Sequence, residues 1–233
     1  MQPIPSPITL RLWLSALVAA VVVSGFVGAA QAQTTGTWML RGGFTRITPD
    51  VDSGDLSAPS IPGTKIDVGS STRLAGGISY MLTPNVSLDF PLALRFTQDI
   101  TGDGAIAGVG KLGDIRAVPV TLFAQYRFGE PAARFRPFVG AGPTYAKLFK
   151  SHGTAALSGL TGGTPAQPTL LSAESRWGMS FQIGASVAID ERWFVEGMVA
   201  KTLLKTTATL STGQSIGLKL NPMAYQIGVG YKF

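Results

Sequence analysis

The sequence predicts an all-β protein, an eight-stranded antiparallel transmembrane β-barrel. Three observations lead there. The chain is rich in apolar residues, yet beyond residue 32 it holds no apolar block long enough for a spanning helix. Its apolar residues recur at every second position in segment after segment. Its connections are short on one side and mostly long on the other.

The first observation is compositional. Of 233 residues, 45% are hydrophobic and only 14% charged, against about 25% charged in an ordinary soluble domain. Such a chain is too apolar to stay disordered. It has no cysteine and one histidine, which excludes a disulfide scaffold, a thiolate nucleophile and a cysteine zinc site. A lone histidine cannot build a multi-histidine metal site. The sequence therefore implies neither a metal nor any other cofactor. The formal charge is +6, with no basic run of the kind that binds nucleic acid.

The N-terminus has the three parts of a secretory signal peptide. Arg11 precedes an apolar run from Leu12 onward, and Ala30-Gln31-Ala32 supplies the small residues that a peptidase needs. Cleavage after Ala32 leaves residues 33–233 as the barrel domain. The alternative is an uncleaved anchor, since the run approaches the roughly 20 residues that span a bilayer. Either reading sends the rest of the chain out of the cytoplasm. Later apolar runs are broken by Gly, Pro, Arg or Lys, so the remaining hydrophobicity must be spread over strands.

The C-terminal segment shows the second observation. Met223, Tyr225, Ile227, Val229, Tyr231 and Phe233 form one set; Ala224, Gln226, Gly228, Gly230 and Lys232 form the other. Successive strand residues face opposite sides, so one face is apolar and the other small and polar. Trp177 to Ile189 alternates likewise, with Gln182 on the polar face. Val86, Leu88, Phe90, Leu92, Leu94 and Phe96 oppose Ser87, Asp89, Pro91, Ala93, Arg95 and Thr97. Trp38, Leu40, Gly42 and Phe44 oppose Met39, Arg41, Gly43 and Thr45. Weaker copies cover residues 74–82, 118–128, 135–149 and 193–209, completing eight strands. In residues 135–149 both faces are mixed and the phase is open.

Connections supply the third observation. Residues 82–85, 129–134 and 190–192 are short turns. Residues 49–72, 99–114 and 150–173 are long loops rich in Gly, Ser, Thr and Pro, and 210–215 is a modest fourth. Outer-membrane barrels sort their connections this way, with the short turns periplasmic.

The inward set then includes Arg41, Asp89, Arg95, Gln125, Arg127, Gln182, Glu196, Gln226 and Lys232. Their charges suggest a paired internal network, because unpaired buried charge is costly; a selectivity role is the other reading. Met39, Phe123 and Met198 are apolar residues in the inward phase. They either line a path or simply fill the interior of a small barrel.

Apparent chemical motifs fall away. Asp50, Asp52 and Asp55 lack the Glu that a calcium loop needs, Ile61 standing at its position. Residues 102–111 fail as a phosphate loop, with Ala105 and Leu112 at required Gly and Ser/Thr positions. Ser151-His152 sits in a loop without a nucleophile elbow. No catalytic residue is assigned, and the chain is not expected to be an enzyme.

Ordered motifs now point to a family. Arg136-Pro137-Phe138-Val139-Gly140-Ala141-Gly142 resembles the R-P-Y-V-G-A-G signature of the OmpW family of outer-membrane proteins. Ser175-Arg176-Trp177-Gly178 with Gln182-Ile183-Gly184 resembles its S-W-G…Q-x-G strand. Tyr80-Met81-Leu82-Thr83-Pro84-Asn85, Asp190-Glu191-Arg192-Trp193-Phe194, Thr206-Thr207-Ala208 and Gly230-Tyr231-Lys232-Phe233 also fit. The departures lie in the loops, residues 151–168 above all.

The resemblance implies a barrel of the Gram-negative outer membrane that passes small hydrophobic molecules, alkanes among them. Solutes would enter an apolar lumen whose lining includes Met39, Phe123 and Met198. A polar plug near the short turns would then turn them sideways into the bilayer. The implied partners are outer-membrane lipid, lipopolysaccharide, hydrophobic solutes and the barrel-assembly machinery. Tyr231 and the terminal Phe233 would form the assembly signal, with a plain aromatic girdle as the alternative. A structural or surface-interaction barrel acting through its loops is the competing function.

Overall fold

The computed structural model describes residues 33–164 and 166–233. The expected signal peptide, with the expected cleavage residues Ala30 and Ala32, lies outside the described residues.

The strands are β1 (Trp38–Thr48), β2 (Asp52–Ser53), β3 (Thr64–Val68), β4 (Ser71–Met81), β5 (Val86–Ala93), β6 (Phe96–Gly104), β7 (Lys111–Thr121) and β8 (Phe123–Arg127). There follow β9 (Phe135–Phe149), β10 (Ser151–His152), β11 (Leu170–Ala173), β12 (Arg176–Ala188), β13 (Trp193–Leu203), β14 (Lys205–Leu210), β15 (Ser215–Lys219) and β16 (Met223–Lys232). One helix, α1 (Ala155–Thr161), stands between β10 and β11.

A closed antiparallel barrel forms, in the order β12-β13-β16-β1-β4-β5-β8-β9, with β9 returning to β12. These are the eight expected staves; β6 continues β5, and β7 leads into β8. Cross-strand pairs measure the stagger. From Ser71 the row runs through Ile47, Ala224, Ala200, Gln182, Gly140, Gln125 and Ser87, and returns to β4 at Met81. One circuit thus shifts the register by ten residues, from Ser71 to Met81. For eight strands that stagger tilts the staves by about 40° from the axis.

The outer surface is apolar. Phe44, Leu74, Leu94, Trp177, Ile183 and Ile227 are each more than half exposed. On a soluble protein this would be a very large apolar patch; around a barrel it is the lipid-facing band. Between Trp177 and Ile189 the tilted strand climbs roughly 30 Å, a bilayer's apolar thickness. Aromatic pairs mark its edges. Trp38–Tyr80, Trp193–Tyr231 and Tyr126–Phe128 meet with ring centres 4.7–5.0 Å apart near the short turns, and Tyr145–Trp177 at 5.1 Å near the long loops. Among the described residues no helix is long and apolar enough to cross a membrane.

Three expectations need correction. The long connections are not plain loops. They contain β2, β3, β10, β11, α1 and the outer ends of β6 and β7; of these, β2, β10 and β11 join β14 and β15 in a second sheet, β10-β11-β14-β15-β2. Ile66, Val68, Leu112, Leu157, Leu171 and Leu218 bury a core there. Strands of two to five residues carry too little alternation to read among Gly and Thr. Residues 193–209 are not one strand: Leu204 separates β13 from β14, its backbone N–H donating to Asn221 Oδ1 at 3.2 Å.

The third correction concerns phase. β5 ends at Ala93 and β6 begins at Phe96, and the alternation reverses across this break. Phe96 is therefore buried and Arg95 exposed, the opposite of the expected placement. Arg95 lies outside the lumen, its guanidinium 5.4 Å from the Phe149 ring centre. The open phase of residues 135–149 resolves with Arg136, Phe138, Thr144 and Ala146 buried inward.

Candidate functional site

The lumen is sealed toward the short turns by a charged plug. Arg41 of β1 grips Asp89 of β5 through two bonds, Nη1 to Oδ1 at 2.6 Å and Nη2 to Oδ2 at 2.9 Å. Ser79 of β4 donates to the same Oδ1 at 2.6 Å. Arg127 of β8 donates to Glu196 Oε2 from both Nη atoms, at 3.2 and 3.1 Å. Glu196 Oε1 lies 3.4 Å from Arg41 Nη1, which joins the two pairs. Gln125 Oε1 accepts from Arg127 Nη2 and from Ser87 Oγ, both at 3.0 Å. The Phe138 ring covers Arg127 at 4.7 Å.

All four charged side chains are at most 3% exposed. Two guanidinium groups thus face two carboxylates, and the plug is electrically balanced. That balance is what permits its burial, since desolvating a lone ion costs several kcal/mol. Inward glycines make the room. A methyl on Gly77 would lie 2.5 Å from Arg41 Nη2, and one on Gly184 2.5 Å from Phe138 Cζ.

Below the plug sit Met39, Met81 and Phe194, fully buried together. Met39 is inward as expected, but it belongs to this floor and not to the path above. Alternation gives a residue's face, not its height. Lys232 is buried at this end too. Arg136, whose phase the sequence left open, ties the short turns together: it donates to Pro84 O at 2.9 Å and to Gln33 Oε1 at 2.7 Å.

Above the plug lies a cavity of about 120 Å³ with a wall largely of carbon. Phe123 and Met198 line it, joined by Phe96, Ile115, Leu148 and Leu204. None of its lining residues is charged. Its hydroxyls bond along the wall, in a chain from Thr121 to Thr144 (2.7 Å), Ser180 (2.5 Å) and Thr202 (2.7 Å). Bonding sideways, they leave the space to carbon. Gln182 is inward, yet neither end of its buried amide has a hydrogen-bond partner among the described residues. It stands outside the polar network in which the sequence placed it.

The wall beside the cavity has an interruption. Pairing between β5 and β8 stops at Asp89–Phe123, and pairing between β6 and β7 starts at Phe96–Ala117. Residues 90–95 and 118–122 face one another without ladder pairs. Pro91 and Pro119 lie in these stretches, and proline has no N–H to give a ladder. Leu92, an outward residue 42% exposed, also lines the cavity. At the short-turn end the barrel closes with Phe233 N–H donating to Trp38 O at 2.8 Å. There the Tyr231 and Phe233 rings meet edge to face, their centres 5.0 Å apart.

An apolar outer band, a closed eight-stave wall and a plugged lumen together define a β-barrel protein of the outer membrane. The sequence model of the OmpW family matches residues 34–233, and the chain belongs to that family. It is 31% identical over 210 residues to outer membrane protein W of Vibrio cholerae, covering 87% of this chain and 91% of that protein. The crystal structure of OprG from Pseudomonas aeruginosa superposes with a TM-score of 0.76 at 26% identity, over 87% of this chain and 99% of that one. The dibenzothiophene metabolism operon protein PahQ of Pseudomonas aeruginosa is 25% identical over 201 residues, 84% of this chain and 88% of that protein.

Proposed function

We propose that this protein is a passive outer-membrane channel for small hydrophobic molecules, with lateral exit into the bilayer. The observation that carries the reading is the carbon-walled cavity, stopped below by the plug and bordered by the unpaired stretch at Pro91 and Pro119. A solute leaving water gains about 25 cal/mol per Å² of apolar surface, so it needs a greasy wall and no hydrogen bonds. The plug denies it the periplasm, and the unpaired stretch gives onto lipid. The relative named for a dibenzothiophene operon fits a lipophilic cargo. On this reading Phe123 and Met198 line the path and Met39 does not. No catalytic step is assigned.

The rest of the assignment follows from residence in the outer membrane. Residues 1–32 act as the export signal, cut after Ala32. Tyr231 and Phe233 engage the barrel-assembly machinery, and the wall meets lipid and lipopolysaccharide. The second reading, a barrel acting through its surface, draws on the apolar core that Leu157, Leu171 and Leu218 build among the long connections.

Uptake of labelled decane and of a small hydrophilic solute by cells with and without the protein is the test. Faster decane entry alone is expected, abolished by Ala200→Trp, which fills the cavity. Faster entry of the hydrophilic solute would replace this reading with a water-filled pore. No change in either would move the function to the long-loop sheet.

A further inference from the structure

The buried amide of Gln182 is unexplained by the path just described. Buried polar side chains nearly always find partners, and an orphan costs about 1–3 kcal/mol. Gln182 is 5% exposed, and neither its Nε2 nor its Oε1 has a hydrogen-bond partner among the described residues. Exchanging the two ends of the amide would change nothing, because both lack one. Next to it the Nε2 of Gln125 also lacks a partner, although its Oε1 is used twice. The two side chains flank one inward glycine. A methyl on Gly140 would lie 2.9 Å from Gln182 Nε2 and 3.1 Å from Gln125 Cγ.

Position puts this pair one inward step below the cavity, next to its lining residues and not among them. Gln182 stands one inward place below Ser180 on β12, and its cross-strand neighbour is Ala200. Ser180, Ala200, Phe123 and Met198 all line the cavity. A hydrocarbon reaching one step past the cavity would meet carbon along its length and these amides at its inner end.

We propose that Gln182, with the Gln125 amide N–H, is a head-group site selecting uncharged, singly oxygenated hydrocarbons such as straight-chain primary alcohols. A hydroxyl is donor and acceptor at once, and so is the orphan amide. Charge argues against an ionised head. The plug directly beneath matches two guanidinium groups with two carboxylates, and the buried Arg136 and Lys232 lie beyond it at the short turns, so an anion beside Gln182 would have no cation of its own next to it. The proposal rests on the uptake reading and adds a substrate class to it.

The test compares labelled decan-1-ol, decane and decanoate entering cells that carry the wild-type protein or Gln182→Met. The readout is the protein-dependent rate, at matched levels of folded barrel. The alcohol-to-alkane ratio is expected to fall about fivefold in the variant, the worth of one net hydrogen bond. An unchanged ratio would overturn the head-group site and assign the amide to water. Decanoate entering as fast as the alcohol would overturn the uncharged class. Acceleration of none of the three would overturn the uptake reading and this site with it. Should the variant not reach the membrane, the Gln182 side-chain amide resonance of the wild-type barrel in bilayers decides. It is expected to move with decan-1-ol and not with decane; equal response, or none, refutes the site.

Discussion

Glu196→Leu is the sharpest perturbation of the plug. The Glu196 carboxylate accepts two bonds from Arg127 and lies 3.4 Å from Arg41, with every partner buried. Removing it leaves Asp89 to balance both guanidinium groups, and Asp89 is already committed to Arg41 and Ser79. Arg127 would keep Gln125, weak contacts to Ser87 and Ser186, and the Phe138 face. Breaking a buried ion pair from one side costs about 3–5 kcal/mol, or roughly two to three and a half powers of ten in the folding equilibrium. Adding Arg127→Met removes the stranded charge and should restore most of the loss. Reversible urea unfolding in detergent, followed by the gel mobility shift of folded barrels, measures both. A single variant within about 1 kcal/mol of wild type would show that the plug is hydrated and that its charges are not truly buried.

Other outcomes follow from the same geometry. Gly230→Ala puts a methyl 2.2 Å from Phe194 Cζ, and overpacking of this kind should cost about 1–3 kcal/mol in the same unfolding assay. The Asp190 carboxylate accepts backbone N–H bonds from Trp193 (2.7 Å) and Arg192 (2.8 Å), which hold it below the usual carboxylate range. Its folded form thus binds protons less readily than the unfolded chain, so its stabilisation is full above about pH 4 and fades as pH falls through the lowered value. Asp190→Asn should therefore flatten the acid limb of the unfolding-rate profile and leave its neutral slope unaltered. Phe233→Ala should lower the amount of folded barrel in outer-membrane fractions more than it lowers the stability of refolded protein; equal losses in both would make Phe233 a girdle residue only.

The barrel wall was legible in the sequence because each stave separates lipid from lumen, and that contrast imposes a period of two. Glu196 and Arg127 could be placed inward from that period alone. Arg95 was misplaced because one break at Leu94 reverses the phase, and nothing in the local residues marks the reversal. Met39 was given the right face and the wrong depth, since depth depends on the ten-residue stagger and not on any single strand. Arg136 and Phe138 stayed unassigned because Pro137 and three small residues blur their strand. The structure within the long connections escaped notice because Ile66, Val68, Leu171 and Leu218 sit in strands too short to show a rhythm. Gln182 could be named as inward, but its lack of a partner is a property of three dimensions.

The break in pairing beside Pro91 and Pro119 also has a mechanical meaning. Elsewhere around the ring, apart from a two-residue step at Leu122–Phe123 beside β9, neighbouring staves are laced by continuous ladders, so opening one bond strains the next. Along residues 90–95 and 118–122 that lacing is missing, and the edges can part without rupturing backbone bonds between them. Thermal breathing of the ring should concentrate on this seam, while the opposite arc of β12, β13 and β16 stays stiff. Amide exchange should register the difference as fast, nearly independent opening at the seam and slow, collective opening across the ring.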